Sequence, residues 1–192
     1  AAGAVHMAKK NVIVKNLASI QNFGSIDILC SDKTGTLTSG EMVLEQHIDP
    51  LGAQSEQVML LAYLSSLFVT EIPNPFNLAV LKKVNISPLD AAILKHEHPD
   101  VQPYEKIDEI PFDFERRRSS VVVEKKGEPI LITKGAPEFV LSDCTHYDLG
   151  GAILPLDEKI REQVSSTFIV LSQQGYRTLA VAYRKTEPKA AY

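Results

Sequence analysis

The pattern of apolar and polar positions changes along the chain, and the changes predict its elements. Residues 26–31 (IDILCS) form a short apolar run of the kind a buried strand shows, and Asp32-Lys33-Thr34-Gly35-Thr36 follows as a polar, glycine-containing turn. A strand there delivers a carboxylate to a loop. Residues 42–48 (MVLEQHI) read as a further strand, and Pro50-Leu51-Gly52 as a turn. Ser55 then suits the N-cap of a helix to Val69, with Leu60, Leu61, Leu64 and Phe68 at helical spacing as its core stripe. Residues 72–84 contain two prolines and remain ambiguous. Ser87-Pro88 opens a short helix over 89–96, because proline is tolerated in a first turn.

Three strands are predicted next, over 106–112, 119–125 and 129–133, the last two joined by a hairpin through Lys126-Gly127-Glu128. Pro137 suits the start of a helix to about Ser142. Asp157 suits the N-cap of a longer one, with Ile160, Val164, Phe168 and Leu171 on one face and Gly175 at its C-terminal cap. Residues 178–183 (TLAVAY) close with a strand. The expected class is α/β: an α+β domain with an antiparallel sheet flanked by helices, preceded by a stub of a different strand-and-loop unit.

Composition narrows the function. Of 192 residues 44 % are hydrophobic and 23 % charged, which supplies a real core and excludes intrinsic disorder. Lys and Arg number 20 against 24 Asp and Glu, a net charge of −4, so the basic excess required of a general nucleic-acid partner is absent. The tight basic run Arg116-Arg117-Arg118 therefore has local meaning. Cys30 and Cys144 lie far apart without metal-ligand spacing, which fits a reduced cytosolic setting, and Cys30 reads as a small buried filler. The apolar stretch 58–69 is too short to span a bilayer and is interrupted by Tyr63, Ser65 and Ser66. The N-terminus lacks a signal-peptide layout and begins without methionine, so the chain is expected to be a piece of a longer one. His96-Glu97-His98 reads as a solvated loop rather than a metal site, since these positions do not share a helix face, and His6, His47 and His146 are isolated in sequence.

Candidate chemistry centres on Asp32. A carboxylate at a strand end can attack a phosphoryl group when a cation and backbone N–H groups neutralise the transferring oxygens, a job that suits Lys33, Gly35 and the threonines. The spacing does not fit the GxxxxGK[ST] phosphate loop. Residues 32–38 (DKTGTLT) resemble the phosphorylation motif of P-type cation-transporting ATPases. The wider superfamily of aspartate-nucleophile phosphatases carries a second Asp two residues on, as general acid and base. Thr34 stands there in this chain, which favours a persistent phosphoenzyme.

Further segments carry the same resemblance. Residues 134–138 (KGAPE) are similar to the family's nucleotide-binding segment, which implies roles for Lys134 and Gly135. Within 111–119 (PFDFERRRS), the resemblance makes Phe114 the ring that stacks on adenine and Arg116 a phosphate contact; a core Phe beside a solvated basic turn is the plain alternative. Residues 175–180 (GYRTLA) make Arg177 a further phosphate contact, against a plain surface arginine, and 87–92 (SPLDAA) place Asp90 near the adenine.

The resemblance implies two parts: residues 1–38 as the N-terminal part of a Rossmann-like phosphorylation domain, and 39–192 as the nucleotide-binding domain, with a hinge near Ser39-Gly40. It implies ATP and Mg²⁺ as cofactors, with Asp32 and the Thr34 carbonyl supplying part of the metal shell. The TGD and GDGxND segments that complete that shell in the family do not occur, so ATP binding without turnover is expected. Implied partners are the rest of the phosphorylation domain, the actuator domain and the transmembrane helices of the same pump, placing the chain on the cytoplasmic side of a membrane. The segments IQNFG, ILCSDKTGTLT and IDEIPFDFERRRSSVVV look most like bacterial Mg²⁺-importing members, with Ca²⁺ or H⁺ pumping left open. A soluble aspartate-nucleophile phosphatase and a non-catalytic nucleotide-sensing module are the alternatives.

Overall fold

The computed structural model describes residues 2–13, 15, 24–28, 30–32, 37, 41–68 and 87–187. Contacts divide the chain into two units, Ala1–Glu41 and Met42–Tyr192. The first contains helix α1 (Ala2–Ala8), which the apolar pattern does not announce. Its end is closed by the Val12 N–H donating to the Met7 carbonyl at 3.0 Å, with Asn11 at φ 61°.

The strand predicted over 26–31 does not form at the described positions, which carry no ladder pairing. Ile28 is 81 % exposed, and Cys30 is exposed rather than a buried filler. An apolar run becomes a buried strand only beside neighbours that take up its backbone N–H and C=O groups, and no strand is present among the described residues of this unit.

The second unit is built around a four-stranded antiparallel sheet. Its helices and strands run α2 (Glu56–Leu67), α3 (Pro88–His96), β1 (Glu105–Asp113), β2 (Arg118–Lys125), β3 (Glu128–Gly135), α4 (Pro137–Ser142), β4 (His146–Leu149), β5 (Ala152–Pro155), α5 (Glu158–Gln173) and β6 (Ala180–Lys185). The sheet order is β1-β2-β3-β6, and β4 and β5 form a separate hairpin. The caps follow local sequence: the Ser55 hydroxyl accepts from Val58 N–H, and the Asp157 carboxylate accepts from Ile160 N–H at 2.8 Å.

Side chains alternate across a strand, so Val121 and Val123 on β2 share a face with their partners Ile132 and Ile130 on β3. That face packs against α2 and α3, and Met59, Leu61, Leu64, Leu67, Ile93 and Leu94 complete the core. The predicted stripe on α2 is thus core, with Leu60 and Phe68 at its margin. Segment 42–48 is not a strand. Leu44 packs on the core and His47 is buried, but only Ile48 pairs, in an isolated bridge with Gln54. The cause is the turn: Gly52, at φ 94°, donates to the Asp49 carbonyl, and the Asp49 carboxylate accepts from Leu51 and Ala53. The chain enters α2 too soon afterwards for a second strand to form. The ambiguous stretch 72–84 and Val69 lie outside the described residues.

The β4–β5 hairpin was not expected from the apolar pattern, yet its turn residues, Gly150 and Gly151 at φ 61° and 92°, are the pair a two-residue hairpin loop demands. The hairpin is tied to the main sheet through Asp148, which accepts from the Tyr183 hydroxyl on β6 and from Gln57 on α2. Burial first, and Asp148 second, push the Tyr183 phenol up to about 12. The folded protein therefore keeps this proton where the unfolded chain has lost it. The stabilisation is complete below the ordinary phenol value of 10.0 and is lost as pH rises through about 12. Urea unfolding between about pH 9 and about pH 12 should show a smaller alkaline loss in Tyr183→Phe than in the wild type.

Candidate functional site

One row of the sheet marks the end at which several of the residues singled out in sequence lie. Asp113 at the end of β1 pairs with Arg118 on β2, Arg118 pairs with Gly135 on β3, and Gly135 pairs with Ala180 on β6. Phe114 and Arg116 belong to the turn joining β1 to β2, Lys134 and Gly135 end β3, and Arg177 lies three residues before β6 begins. The register thus gathers at one end of the sheet positions separated by more than sixty residues in sequence.

Each position has a distinct environment. Phe114 is 87 % exposed, its ring edge-on to the half-exposed Phe112 at 5.3 Å, so the core reading of this residue is wrong and an aromatic face is open to solvent. The Asp113 carboxylate organises the turn by accepting from the N–H groups of Glu115 and Arg116, both at 2.8 Å. Those bonds, the Arg116 N–H foremost, together with the nearby Arg116 guanidinium hold the Asp113 carboxyl below the usual carboxylate range. Arg116 remains half-exposed, 3.7 Å from Asp113. Arg117, at φ 49°, lays its guanidinium over the Phe139 ring at 5.2 Å, and its carbonyl accepts from Ala136 N–H. Arg118 is neutralised by Asp143 at 2.6 Å and donates to the Phe139 carbonyl. Arg177 is exposed.

Lys134 departs from the solvated turn that its sequence context suggests by default. It shares the face of Ile130 and Ile132, which α2 and α3 cover, so its side chain is buried. Its ammonium donates to the Ser66 hydroxyl on α2 at 2.7 Å and forms an ion pair with Asp90 in the first turn of α3. Burial lowers the Lys134 ammonium from its ordinary range, and the Asp90 carboxylate pulls it back up. Gly135 is required for a different reason. A β-carbon there would lie 2.4 Å from the Arg117 carbonyl oxygen and 2.6 Å from the Arg118 β-carbon.

Asp32 is exposed, and Lys33 and Thr34 lie outside the described residues, so the six remaining candidates are the ones that share a unit. A concavity of about 400 Å³ lies elsewhere, between residues 46–52 and α5, lined by Gln46, Ile48, Gln163, Thr167 and Val170 with no charged group. Among the described residues, the candidate phosphate contacts Arg116, Lys134 and Arg177 lie at the sheet end. No helix among the described residues is long and apolar enough to cross a membrane.

These features correspond to a known domain. The chain belongs to the P-type ATPase family: the family's cytoplasmic domain N matches residues 74–191. The mixed helix-and-sheet architecture agrees with that domain. The chain is 46 % identical over 183 residues to a magnesium-transporting ATPase, P-type 1, of Salmonella typhimurium, covering 95 % of this chain and 19 % of the relative. It is 43 % identical over 183 residues to the protein of that name from Escherichia coli K12, covering 95 % and 20 %. Identity to plasma membrane ATPase 1 of Candida albicans is 30 % over 188 residues, covering 97 % and 20 %. The chain therefore spans about a fifth of the length of the curated relatives it matches.

Proposed function

We propose that the sheet end carrying Phe114, Arg116, Lys134, Gly135 and Arg177, with Asp90 held against it, is the ATP site of a P-type cation-transporting ATPase, and that the transported ion is Mg²⁺. The observation that carries this reading is the register row Asp113, Arg118, Gly135, Ala180, because it sets the turn with Phe114 and Arg116, the end of β3 with Lys134 and Gly135, and the start of β6 after Arg177 at one end of the sheet. An exposed aromatic face offers stacking to a base, and half-exposed Arg116 and exposed Arg177 offer cations to phosphates. Lys134 and Asp90 enter as a pair. Their buried contact fastens α3 to the end of β3, so a nucleotide that engages either side chain meets both. The Mg²⁺ reading rests on the greater identity to magnesium-transporting than to plasma membrane ATPases.

In the whole pump, Asp32 would attack the γ-phosphoryl group of ATP in line with ADP leaving, Mg²⁺ when bound would supply charge neutralisation at the transferring oxygens, and the phosphoenzyme would drive the membrane helices. Asp32 and Thr34 would help to hold that ion. Residues 1–38 belong to the phosphorylation domain and 39–192 to the nucleotide domain. The remaining phosphorylation-domain strands, the actuator domain and the transmembrane helices are its partners, on the cytoplasmic side of the cell membrane.

Calorimetric titration of ATP into the chain tests the site. Phe114→Ala should weaken binding by about 1–3 kcal/mol, the value of one stacked base. Because Phe114 is exposed, the variant should keep its thermal midpoint. Equal affinity in the folded variant and the wild type would remove Phe114 from the site. Absence of phosphomonoesterase activity in the wild type would separate this reading from the soluble-phosphatase alternative.

A further inference from the structure

We propose that His47, His96 and Glu97 form a binding site for a first-row divalent metal ion of the zinc class. The three residues come from two segments: His47 from the extended stretch before α2, His96 from the last turn of α3, and Glu97 from the position that ends that helix. One ligand atom from each lies within 4.8 Å of the others. The two imidazole rings meet edge-on with centroids 5.7 Å apart, and His96 Nε2 stands 3.9 Å from Glu97 Oε1.

His47 is held in a fixed orientation. The ring is buried, 5 % exposed, and Nδ1 lies 3.0 Å from the Ser55 carbonyl oxygen. A carbonyl only accepts, so Nδ1 carries the proton and Nε2 presents its lone pair. Such a bond from the far ring nitrogen is how proteins fix the tautomer of a metal-binding histidine. The lone pair now accepts from the Gln54 amide at 2.7 Å. An ion on Nε2 takes the place of that amide, so Gln54 swings aside and water completes the shell. Donors about 2.0–2.2 Å from zinc lie about 3.4 Å apart at tetrahedral angles, so closure needs up to about 1.4 Å of adjustment. The side chains of His96 and Glu97, part-exposed and half-exposed, can supply it.

The sequence pattern hides this group. Positions 96 and 98 do not share a helix face, and His98 turns instead to the Tyr63 hydroxyl at 3.2 Å. Glu97 has left the helix, with extended backbone at φ −141°, which lets its carboxylate return beside His96. Two imidazoles and one carboxylate select zinc-class ions over Mg²⁺, which demands a shell of oxygen ligands. The site is therefore distinct in chemistry from any Mg²⁺ bound with ATP, and it stands whether or not the nucleotide site is as proposed. An ion there would clamp residue 47 to the end of α3, the helix whose first turn carries Asp90.

Titration calorimetry with zinc chloride on the 192-residue chain tests it, against His96→Ala, Glu97→Gln and, as a control, His146→Ala. The expected result is one zinc ion per wild-type chain, a loss of about tenfold or more in each of the first two variants, an unchanged control, and no competition from millimolar Mg²⁺. His96 and Glu97 sit exposed at a helix end, so circular dichroism should report folded variants. Absence of zinc binding by the wild type at about 100 μM, or unchanged affinity in either folded variant, overturns the proposal.

Discussion

Asp90→Ala is expected to destabilise the domain by about 3–5 kcal/mol, because it leaves the Lys134 ammonium buried with, among the described residues, only the Ser66 hydroxyl as partner. The two partners are not equivalent. The Lys134 side chain is 7 % exposed and the Asp90 side chain 17 %, so the carboxylate can recover water more easily once its partner has gone. Lys134→Met, which keeps the stem's volume and removes the charge, should therefore cost less than Asp90→Ala. Burial already lowers the Lys134 ammonium, with Asp90 opposing it, so removing Asp90 should depress the ammonium further. Urea unfolding of the two variants measures the ordering. A loss below about 1 kcal/mol in Asp90→Ala would mean that the ammonium reaches water or sheds its proton at little cost.

Gly135→Ala should cost about 2–3 kcal/mol, the range for overpacking a site whose neighbours cannot move freely. Two of the three nearest atoms to the added carbon are backbone, the Arg117 oxygen at 2.4 Å and the Arg118 Cα at 2.8 Å, so relief requires opening the β2–β3 pairing where the proposed site lies. Gly127 is the comparison. At φ 81° it has nothing within 4 Å of an added carbon, so alanine there meets only backbone strain, about 1 kcal/mol. Thermal unfolding should rank Gly135→Ala below Gly127→Ala, and ATP affinity should fall in the former alone. The reverse ranking would show that the Gly135 contacts relax without disturbing the sheet end.

What was legible in sequence was local. Ser55 and Asp157 announce helix starts because a cap is a contact across three residues, and Lys126-Gly127 announces a hairpin because both residues must adopt positive φ, 54° and 81°. The same reasoning could have found β4 and β5 from Gly150-Gly151, but Asp148 and the flanking residues offer little alternation to support it. The failures are contacts that a pattern cannot contain. The run at 26–31 reports that a strand could be buried, not that strands stand beside it. The Lys134–Asp90 pair spans 44 residues and follows only when the face of β3 and the packing of α3 are both known. His47, isolated in sequence, meets His96 for the same reason. Among the candidate site residues, motif resemblance selected Phe114, Arg116 and Arg177, and the sheet register explains how residues so far apart can share one edge.

The most direct test of the account maps amide chemical shifts of the chain as ATP is added. The sheet has two ends, and they serve as each other's control. Shifts should concentrate at Phe114 to Arg118, at Lys134 to Ala136 and at Arg177 to Ala180, while the far end, at Lys125 to Glu128 and Lys185, stays unmoved. Shifts centred on the far hairpin, or on the groove between residues 46–52 and α5, would contradict a nucleotide site at the Gly135 end of the sheet.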